Sequence, residues 1–324
     1  MPAEETRACK ASVCICTYNG AARIGMVIEA LAIQTQPKES WEVLVIDNAS
    51  NDGIGVVADR FIKEKLGGCG RVVREEQPGL SFARARAVRE VRGEIICFLD
   101  DDNIPAPDFV AAARQAFAER PRAGVIGGKV LPRWETNPTP LAEAVAPFAL
   151  AICDLGESAQ RYDAVGGGIV GAGLCVRRKV LRNIFASSAL ANMVTDRKGA
   201  NLISGGDLAI SIAARQTGWE CWYIPTLQIE HILPASRMKK DYLFRLYNGI
   251  GRGQAAIRKC YDWKARSPLA WLIGLKDFCR WQLGHWRGPL PELRRHHPDL
   301  ADDLHDLHQS MTLGRACQAL SWPR

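Results

Sequence analysis

The residues most able to do chemistry lie in "FLDDDNIP" at 98–105. Three consecutive carboxylates, Asp100, Asp101 and Asp102, follow the apolar run "EIICFL". Like charges repel at contact distance, so packing does not account for them. Asp100 and Asp102 are two apart, and in an extended chain side chains two apart point the same way. That spacing can present two carboxylates to one ion. Hard divalent cations take oxygen ligands, and Mg²⁺ favours few carboxylates combined with substrate phosphates. The pattern therefore suggests a metal–diphosphate site. Read alone, the same residues could be surface acids or helix caps.

Two further polar clusters strengthen the first reading. "TYN" (Thr17, Tyr18, Asn19) ends the apolar run 11–18, and "DNASND" (47–52) ends the run 42–47. Strands are expected at 11–18, 42–47, 71–76, 94–100 and 123–132, with helices at 20–34, 52–67, 79–91 and 107–119 between them. The helix 20–34 shows its period in Ile24, Val27, Ile28 and Leu31. The run 94–100 is continuous in apolar residues, as in a strand buried on both faces. Repeated βα units imply a mainly parallel sheet with helices on both faces. Ligands of such sheets bind beyond the carboxyl ends of the strands. All three clusters fall there, although Asp52 alone reads as a helix cap. No glycine fingerprint for phosphate follows the first strand, where "TYNGAA" stands, so a metal is the expected counter-ion.

Past residue 132 the pattern loosens. A loop rich in Pro and Trp precedes a helix within 132–147. A glycine-rich turn leads into a strand at 166–181. A loop enters a helix at 203–218, with Gly218 as its C-cap. Two strand-like pieces, "ECWYIP" and "LQIEHILP", come next, and the chain is helical from about 239. The boundaries expected are 8–238 for the α/β domain and 239–324 for a basic, mainly helical extension.

The 324 residues are 47% hydrophobic and 24% charged, as in a folded protein with a large core. No apolar run is long enough to span a bilayer. The N-terminus lacks the apolar stretch of a signal peptide. Eleven scattered cysteines with no paired zinc spacing read as reduced core residues. A cytoplasmic protein is expected, in peripheral contact with the inner face of a membrane at most. The net charge is +7, and 239–295 holds thirteen Lys/Arg against four Asp/Glu. That asymmetry suggests a surface that meets something anionic, or a solvated basic face. Within it, Trp271, Leu272, Leu275, Phe278, Cys279, Leu283 and Trp286 share one helical face. Such a stripe is either the core side of a packed helix or a helix lying on an anionic membrane.

The ensemble "SVCICTYNG", "VLVIDNASND", "GLSFARARA", "GEIICFLDDDNIPAPDF", "GAGLCVRRKVL", "SGGDLAISIAARQTGWECWYIP" and "IEHILPASR" resembles the family 2 glycosyltransferases of the GT-A fold. The likeness runs over roughly 11–250, in the family's order and spacing. It implies an inverting transferase that moves a sugar from a nucleotide-sugar to a hydroxyl, with Mn²⁺ or Mg²⁺ as cofactor. By the same resemblance, Thr17, Tyr18 and Asn19 lie beside the nucleotide. Asp47 bonds the donor base, and Asn48 and Asn51 lie near the nucleoside. Arg84 matches an arginine near the donor, although the family's following Asn is Ala85 here. Asp100 and Asp101 belong to the donor site, and Asp102, with Asp100, holds the metal. Asp207 matches the catalytic base, with Gly206 in place of the usual Glu. "EHILPASR" matches a segment that closes over the diphosphate. There His231 is a third metal ligand or a structural histidine, and Arg237 a phosphate contact. Trp134, Gly171, Gly173 and Gly206 are expected to border the acceptor, or else to form a packed loop and tight turns.

The expected partners are a nucleotide-sugar donor and a glycan or lipid-linked acceptor in polysaccharide or glycoconjugate synthesis, with no nucleic acid. Nucleotidyltransferases also place metal-bound carboxylates on parallel sheets, but they carry a basic glycine-rich loop after the first strand, which "TYNGAARIG" lacks. A non-catalytic nucleotide-sugar or glycan-binding protein is the third reading. Retention of Asp100, Asp102 and Asp207 weighs against it.

Overall fold

A computed structural model describes residues 11–162, 169–186, 202–261 and 296–320. The chain forms two compact units interleaved in sequence. The first takes residues up to Arg133, Ala151–Ser187 and Ile210–Ile232; the second takes Trp134–Leu150, Ser188–Ala209 and Leu233–Arg324.

The first unit is built on one sheet. Its strands are β1 (Ala11–Thr17), β2 (Trp41–Asn48), β3 (Gly70–Glu75), β4 (Ile95–Leu99), β5 (Asn103–Pro105), β6 (Ala123–Trp134), β7 (Gln160–Arg161), β8 (Cys175–Arg177) and β9 (Glu220–Leu233). Their order is β3-β2-β1-β4-β8-β6-β9-β5, with β7 paired to β9. β3, β2, β1 and β4 run parallel. Every residue of β1, β2 and β4 is buried, which explains their mainly apolar character, unbroken in β4. Beyond β4 the sheet turns mixed, because β8 pairs antiparallel with both β4 and β6.

Helices cover this sheet: α1 (Ile24–Ala32), α2 (Ile54–Leu66), α3 (Leu80–Glu90) and α4 (Phe109–Glu119). α1 buries Ile24, Val27, Ile28 and Leu31, one face at the expected period. α2 buries Ile54, Ala58, Ile62 and Leu66 and ends on Gly67 at φ 59°. Within the second unit lies α5 (Pro140–Ala149), which Thr139 caps by accepting from the Ala142 amide at 3.2 Å. α6 (Arg178–Ala186), in the first unit, directly follows β8; the sequence pattern predicts only a strand there. α7 is Gly206–Gln216, and the turn after it carries Gly218 at φ 84°. Strand β9 is one element of fourteen residues rather than two pieces.

In the second unit, α8 (Lys240–Tyr261) packs along α9 (Ala301–Leu320). Their backbones approach closely. A Cβ on Gly251 would stand 1.9 Å from the Met311 carbonyl oxygen, and one on Gly314 would stand 2.1 Å from that of Asn248. Tyr247 lies between Phe148 and His308, with ring centroids 5.5 and 5.8 Å away. The aromatic stripe at 271–286 lies outside the described residues. Among the described residues, no helix is long and apolar enough to cross a membrane.

Candidate active site

In the first unit, the carboxyl ends of β1, β2 and β4 lie side by side, because β1 pairs with both neighbours in parallel. The three polar clusters therefore meet on one edge. Hydrogen bonds interlock the first two. The Asn19 amide donates to Ser50 Oγ at 3.0 Å, and the Asn51 amide donates to Asn19 Oδ1 at 3.0 Å. Asn19 and Ala49 hold positive φ of 53° and 56°, which shape these tight turns. Asp52 accepts from Ala21 and Ile54 and ties the β1 loop to the start of α2.

Asp47 is buried, and both its oxygens are engaged. Oδ1 accepts from the Ser50 amide at 3.0 Å, and Oδ2 accepts from Arg74 at 2.7 Å. A carboxylate oxygen has two lone-pair directions, so Asp47 keeps acceptor capacity for a ligand. Asn48 bridges outward to the Gln77 carbonyl and the Gly79 amide, both at 2.7 Å. Thr17 is buried, whereas the ring of Tyr18 is exposed.

The three aspartates do not act as one cluster. Residues 100–103 form a turn closed by the Asn103 amide on the Asp100 carbonyl at 3.2 Å, instead of continuing the strand. Asp101 points inward: Thr17 donates to its Oδ2 at 2.5 Å, and Arg23 donates to its Oδ1 at 3.0 Å. Burial pushes its carboxyl above the ordinary range, against the pull of Arg23 and Thr17. Asp102 is buried beside β9. Its Oδ1 accepts from Asn103 Nδ2 at 3.0 Å and lies 3.6 Å from His231 Nε2. His231 is brought there by strand register, opposite Asn103 in the β5–β9 pair.

Among the described residues, no group of three or more His, Cys, Asp or Glu could by itself hold a metal. A hard cation that takes much of its shell from phosphate and water does not need one. Asp102 and His231 stand 3.6 Å apart and could supply two ligands to such a cation, whereas Asp100, although in the same turn, is not gathered with them into a three-ligand group. The residues present fit the implied cation.

Arg84 is buried on α3, its guanidinium 5.5 Å from the centroid of Phe98 in β4. Gly173 turns the chain at φ 72°, and the Leu174 amide donates to the Gly171 carbonyl at 3.3 Å. Leu174 in turn accepts from the Phe98 amide at 2.8 Å, so this loop is fastened to β4. Asp154 and Glu157, two other acidic residues of the unit, both face the Lys129 ammonium.

Four further site-related residues, Trp134, Gly206, Asp207 and Arg237, belong to the second unit, and Gly206 is the first residue of α7. Asp207 is in the first turn of α7, one residue inside the helix rather than at its cap, and its Oδ1 accepts from the Leu208 amide at 2.8 Å. A negative side chain there complements the helix dipole. Gly205, at φ 143°, lets the loop before it turn tightly. Trp134 closes β6, and Arg237 lies in a short 3₁₀ turn, Ala235–Met238.

Sequence reasoning missed Arg74 and Arg23. Arg74 stands opposite Asp47 in the β2–β3 register, which only the strand pairing reveals. Arg23, in the turn entering α1, reaches across 78 positions to Asp101.

A doubly covered sheet with carboxylates gathered at its strand ends is the architecture of GT-A fold proteins. The family model described as glycosyl transferase family 2 matches residues 12–185, more than half the chain, and the protein belongs to that family. Glycosyltransferase AglE of Haloferax volcanii is 37% identical over 94 residues, which are 29% of this chain and 31% of that one. The glucosyl-dolichyl phosphate glucuronosyltransferase of the same organism is 23% identical over 238 residues, 72% of each chain. Among solved structures, the mannosyltransferase PcManGT from Pyrobaculum calidifontis, in complex with GDP-Man and Mn²⁺, superposes with a TM-score of 0.59 at 18% identity. It covers 96% of this chain and 87% of that one.

Proposed function

We propose that this protein transfers a sugar from a nucleoside-diphosphate sugar to a hydroxyl of a glycan or lipid-linked acceptor, by direct displacement with inversion, using Mn²⁺ or Mg²⁺. The observation that carries the reading is the meeting of Asp102 with His231 beside the interlocked ends of β1 and β2. GDP-Man and Mn²⁺ in the Pyrobaculum enzyme, and a lipid-linked substrate in the name of one Haloferax relative, support the same chemistry.

In this reading Asp47, held by Arg74, takes an N–H of the base. Asn48, Asn51, Thr17, Asn19 and the exposed Tyr18 surround the nucleoside. Asp101 keeps the β1 and β4 loops together through Thr17 and Arg23. Asp102 and His231 would hold the cation, with Asp100 of the same turn directed to the donor, and when bound the cation would neutralise charge developing on the leaving diphosphate. Arg84 and Arg237 add positive charge for the phosphates. Asp207 accepts the acceptor hydroxyl's proton, which a weak nucleophile needs to lose as it attacks. Trp134, Gly171, Gly173 and Gly206 border the acceptor. The basic stretch 239–295 supports peripheral contact with an anionic membrane surface on its cytoplasmic side.

The test is turnover of a nucleotide-sugar panel with Mn²⁺, with products identified by mass. Asp207→Asn should bind nucleotide normally and lose roughly 10²–10⁴-fold in turnover. Near wild-type turnover places the base elsewhere. Pyrophosphate among the products would make the protein a nucleotidyltransferase. Binding without turnover on a broad acceptor panel would make it a binding protein.

A further inference from the structure

The second unit contains an open cleft of about 340 Å³ lined by Leu202, Phe244, Arg245, Asn248, Arg252 and Ser310. Arg245, Asn248 and Arg252 are at i, i+3 and i+7 of α8 and so share a face. Ser310 faces them from α9: its hydroxyl donates to the Phe244 carbonyl at 3.0 Å, and Asn248 Nδ2 donates to the Ser310 carbonyl at 3.1 Å. The second bond fixes how the Asn248 amide is turned, because a carbonyl can only accept. Its Oδ1 therefore remains as an acceptor, with no hydrogen-bond partner among the described residues. Among the described residues, no carboxylate pairs with either guanidinium, and the Arg252 Nε is buried without a hydrogen-bond partner. The cleft thus combines two guanidiniums, which only donate, with an amide oxygen, which only accepts.

That combination selects the chemistry of an occupant. The arginines favour an anion with paired acceptor oxygens, as a carboxylate has. The Asn248 oxygen favours a donor on the same molecule. A bare carboxylate meets the first demand alone, and a neutral sugar meets the second alone. A sugar that carries a carboxylate meets both, and Leu202 and Phe244 offer apolar surface to the C–H side of its ring.

The cleft also adjoins the segment that leads to Asp207. A Cβ on Gly249 would stand 2.1 Å from the Leu202 carbonyl oxygen, and one on Gly253 would stand 1.7 Å from that of Ser204. The two glycines of α8 therefore let 202–204 lie directly on the helix. Leu202 is five positions before Asp207, and five residues span at most about 18 Å. A short oligosaccharide bridges that distance.

We propose that this cleft is a subsite for a hexuronate-type sugar, so that the acceptor is an acidic glycan whose accepting hydroxyl lies a few sugar residues from the bound carboxylate. The arginines take the carboxylate, and Asn248 takes a ring hydroxyl. This rests on the glycosyl-transfer reading, because it names the class of that reaction's hydroxyl-bearing acceptor. Its test does not depend on turnover.

Trimers of galacturonate, mannuronate and guluronate and a hyaluronan tetrasaccharide are titrated against the full-length protein by calorimetry, each beside its neutral methyl ester. Acetate and inorganic phosphate serve as simple anions, and nucleoside diphosphates with Mn²⁺ report the donor site. At least one acidic oligosaccharide should bind about tenfold or more tightly than its own ester and than either simple anion. Arg252→Gln should weaken it by about 10- to 100-fold, the range for a lost charge-assisted contact in a sheltered place. Arg245→Gln, at an exposed position that solvent screens, should weaken it by about two- to fivefold. Affinity for the esters and the nucleotides should be unchanged in both variants. Arg252→Lys, which keeps the charge but not the fork, should recover part of the loss. If Arg252→Gln lowers the urea midpoint, Arg245→Glu on the surface carries the test and should abolish the preference for acid over ester. No acidic oligosaccharide binding more tightly than its ester overturns the proposal, as does wild-type affinity in the arginine variants. Equal binding of inorganic phosphate would make the cleft a plain anion site and also overturn it. Loss of nucleotide affinity in place of oligosaccharide affinity would assign the cleft to the donor, with the same result. Failure of the wild type to bind any nucleoside diphosphate, with the acidic preference intact, would instead count against the glycosyl-transfer reading and remove the acceptor assignment with it.

Discussion

Replacing Gly20 with alanine should damage both stability and the proposed donor site, and the structure sets the size of the effect. Gly20 follows the β1 cluster. A Cβ there would stand 2.0 Å from Asp101 Oδ2, 2.3 Å from Thr17 Oγ1 and 2.7 Å from Asp101 Cγ. Ordinary contact is about 3.5 Å, so atoms must move by more than 1 Å. The atoms in the way are the two ends of the 2.5 Å Thr17–Asp101 hydrogen bond. Losing that bond costs about 1.5–3 kcal/mol, and overpacking adds about 1–3 kcal/mol. The lower chain entropy of unfolded alanine returns about 0.4–1 kcal/mol. The expected net loss is about 2–4 kcal/mol in urea unfolding, with weaker Mn²⁺-dependent nucleotide binding because Asp100 and Asp102 flank the displaced residue. Asp101→Ala alone should cost less than its ion pair suggests. Burial already opposes its charge, and the partner Arg23 is 39% exposed, so solvent screens the attraction. The two substitutions must then couple: their combined loss should fall short of the sum by at least about 1 kcal/mol. A Gly20→Ala loss below about 0.5 kcal/mol, or strict additivity with Asp101→Ala, refutes the reasoning.

Asp102→Asn keeps the acceptor used by Asn103 and the carbonyl used by the Ile232 amide, so stability should change by less than about 1 kcal/mol. Its nucleoside-diphosphate affinity in Mn²⁺ should nevertheless fall at least about tenfold by calorimetry, since even outer-shell changes at metal sites reach that size. Glu42 is at the opposite end of β2. Burial pushes its carboxyl up, but bonds from the Arg92 amide, Arg71 and Ser12 more than offset this and hold it below the ordinary 4.5. A lowered folded value means stability that is present above 4.5 and lost as pH falls through the folded value. Glu42→Gln should therefore be less stable than wild type at pH 7, and the gap should close below pH 4.5 with donor binding unaffected; a pH-independent gap in urea midpoints would reject this. Gly314→Ala gains about 1 kcal/mol of helix propensity but drives a methyl to 2.1 Å from the Asn248 carbonyl oxygen. A net loss of about 1–2 kcal/mol is expected, and a raised thermal midpoint would show that α8 and α9 can part without cost.

The elements that build the candidate site's edge were legible because burial on both faces leaves a plain mark. β4 is an unbroken apolar run, β1 and β2 are apolar apart from Ser12 and Glu42 near their starts, and each run ends where polar residues begin. Legibility failed where local pattern and tertiary context diverge. Pro225 divides "ECWYIP" from "LQIEHILP" in the sequence, yet β9 continues through it. Proline lacks an N–H, but a strand that lies between changing partners tolerates a missing donor. α6 follows β8 with no intervening turn residue and buries only Val180, Leu181 and Ile184, too short a stripe to separate from the strand before it. Arg74 lies in a half-buried strand whose sequence reads as a surface. Its meeting with Asp47 depends on pairing register, which no local window contains.

The DxD motif shows why spacing alone underdetermines a site. The spacing argument assumes an extended chain, in which Asp100 and Asp102 share a face and Asp101 opposes them. The turn at 100–103 removes that premise, yet a division of labour survives for another reason. Asp101 is captured by Thr17 of β1 and Arg23 before α1, whereas Asp102 is fixed by Asn103 and by the strand that brings His231. Three adjacent charges in one turn would repel strongly if all faced the same ligand space. Turning the middle one inward onto a guanidinium separates them, and the burial that raises its carboxyl is the energetic cost. The return is rigidity. With both oxygens of Asp101 held inside the protein, the turn cannot rotate without breaking contacts to two other elements. The residues on either side then keep a fixed aim toward the edge where β1 and β2 end.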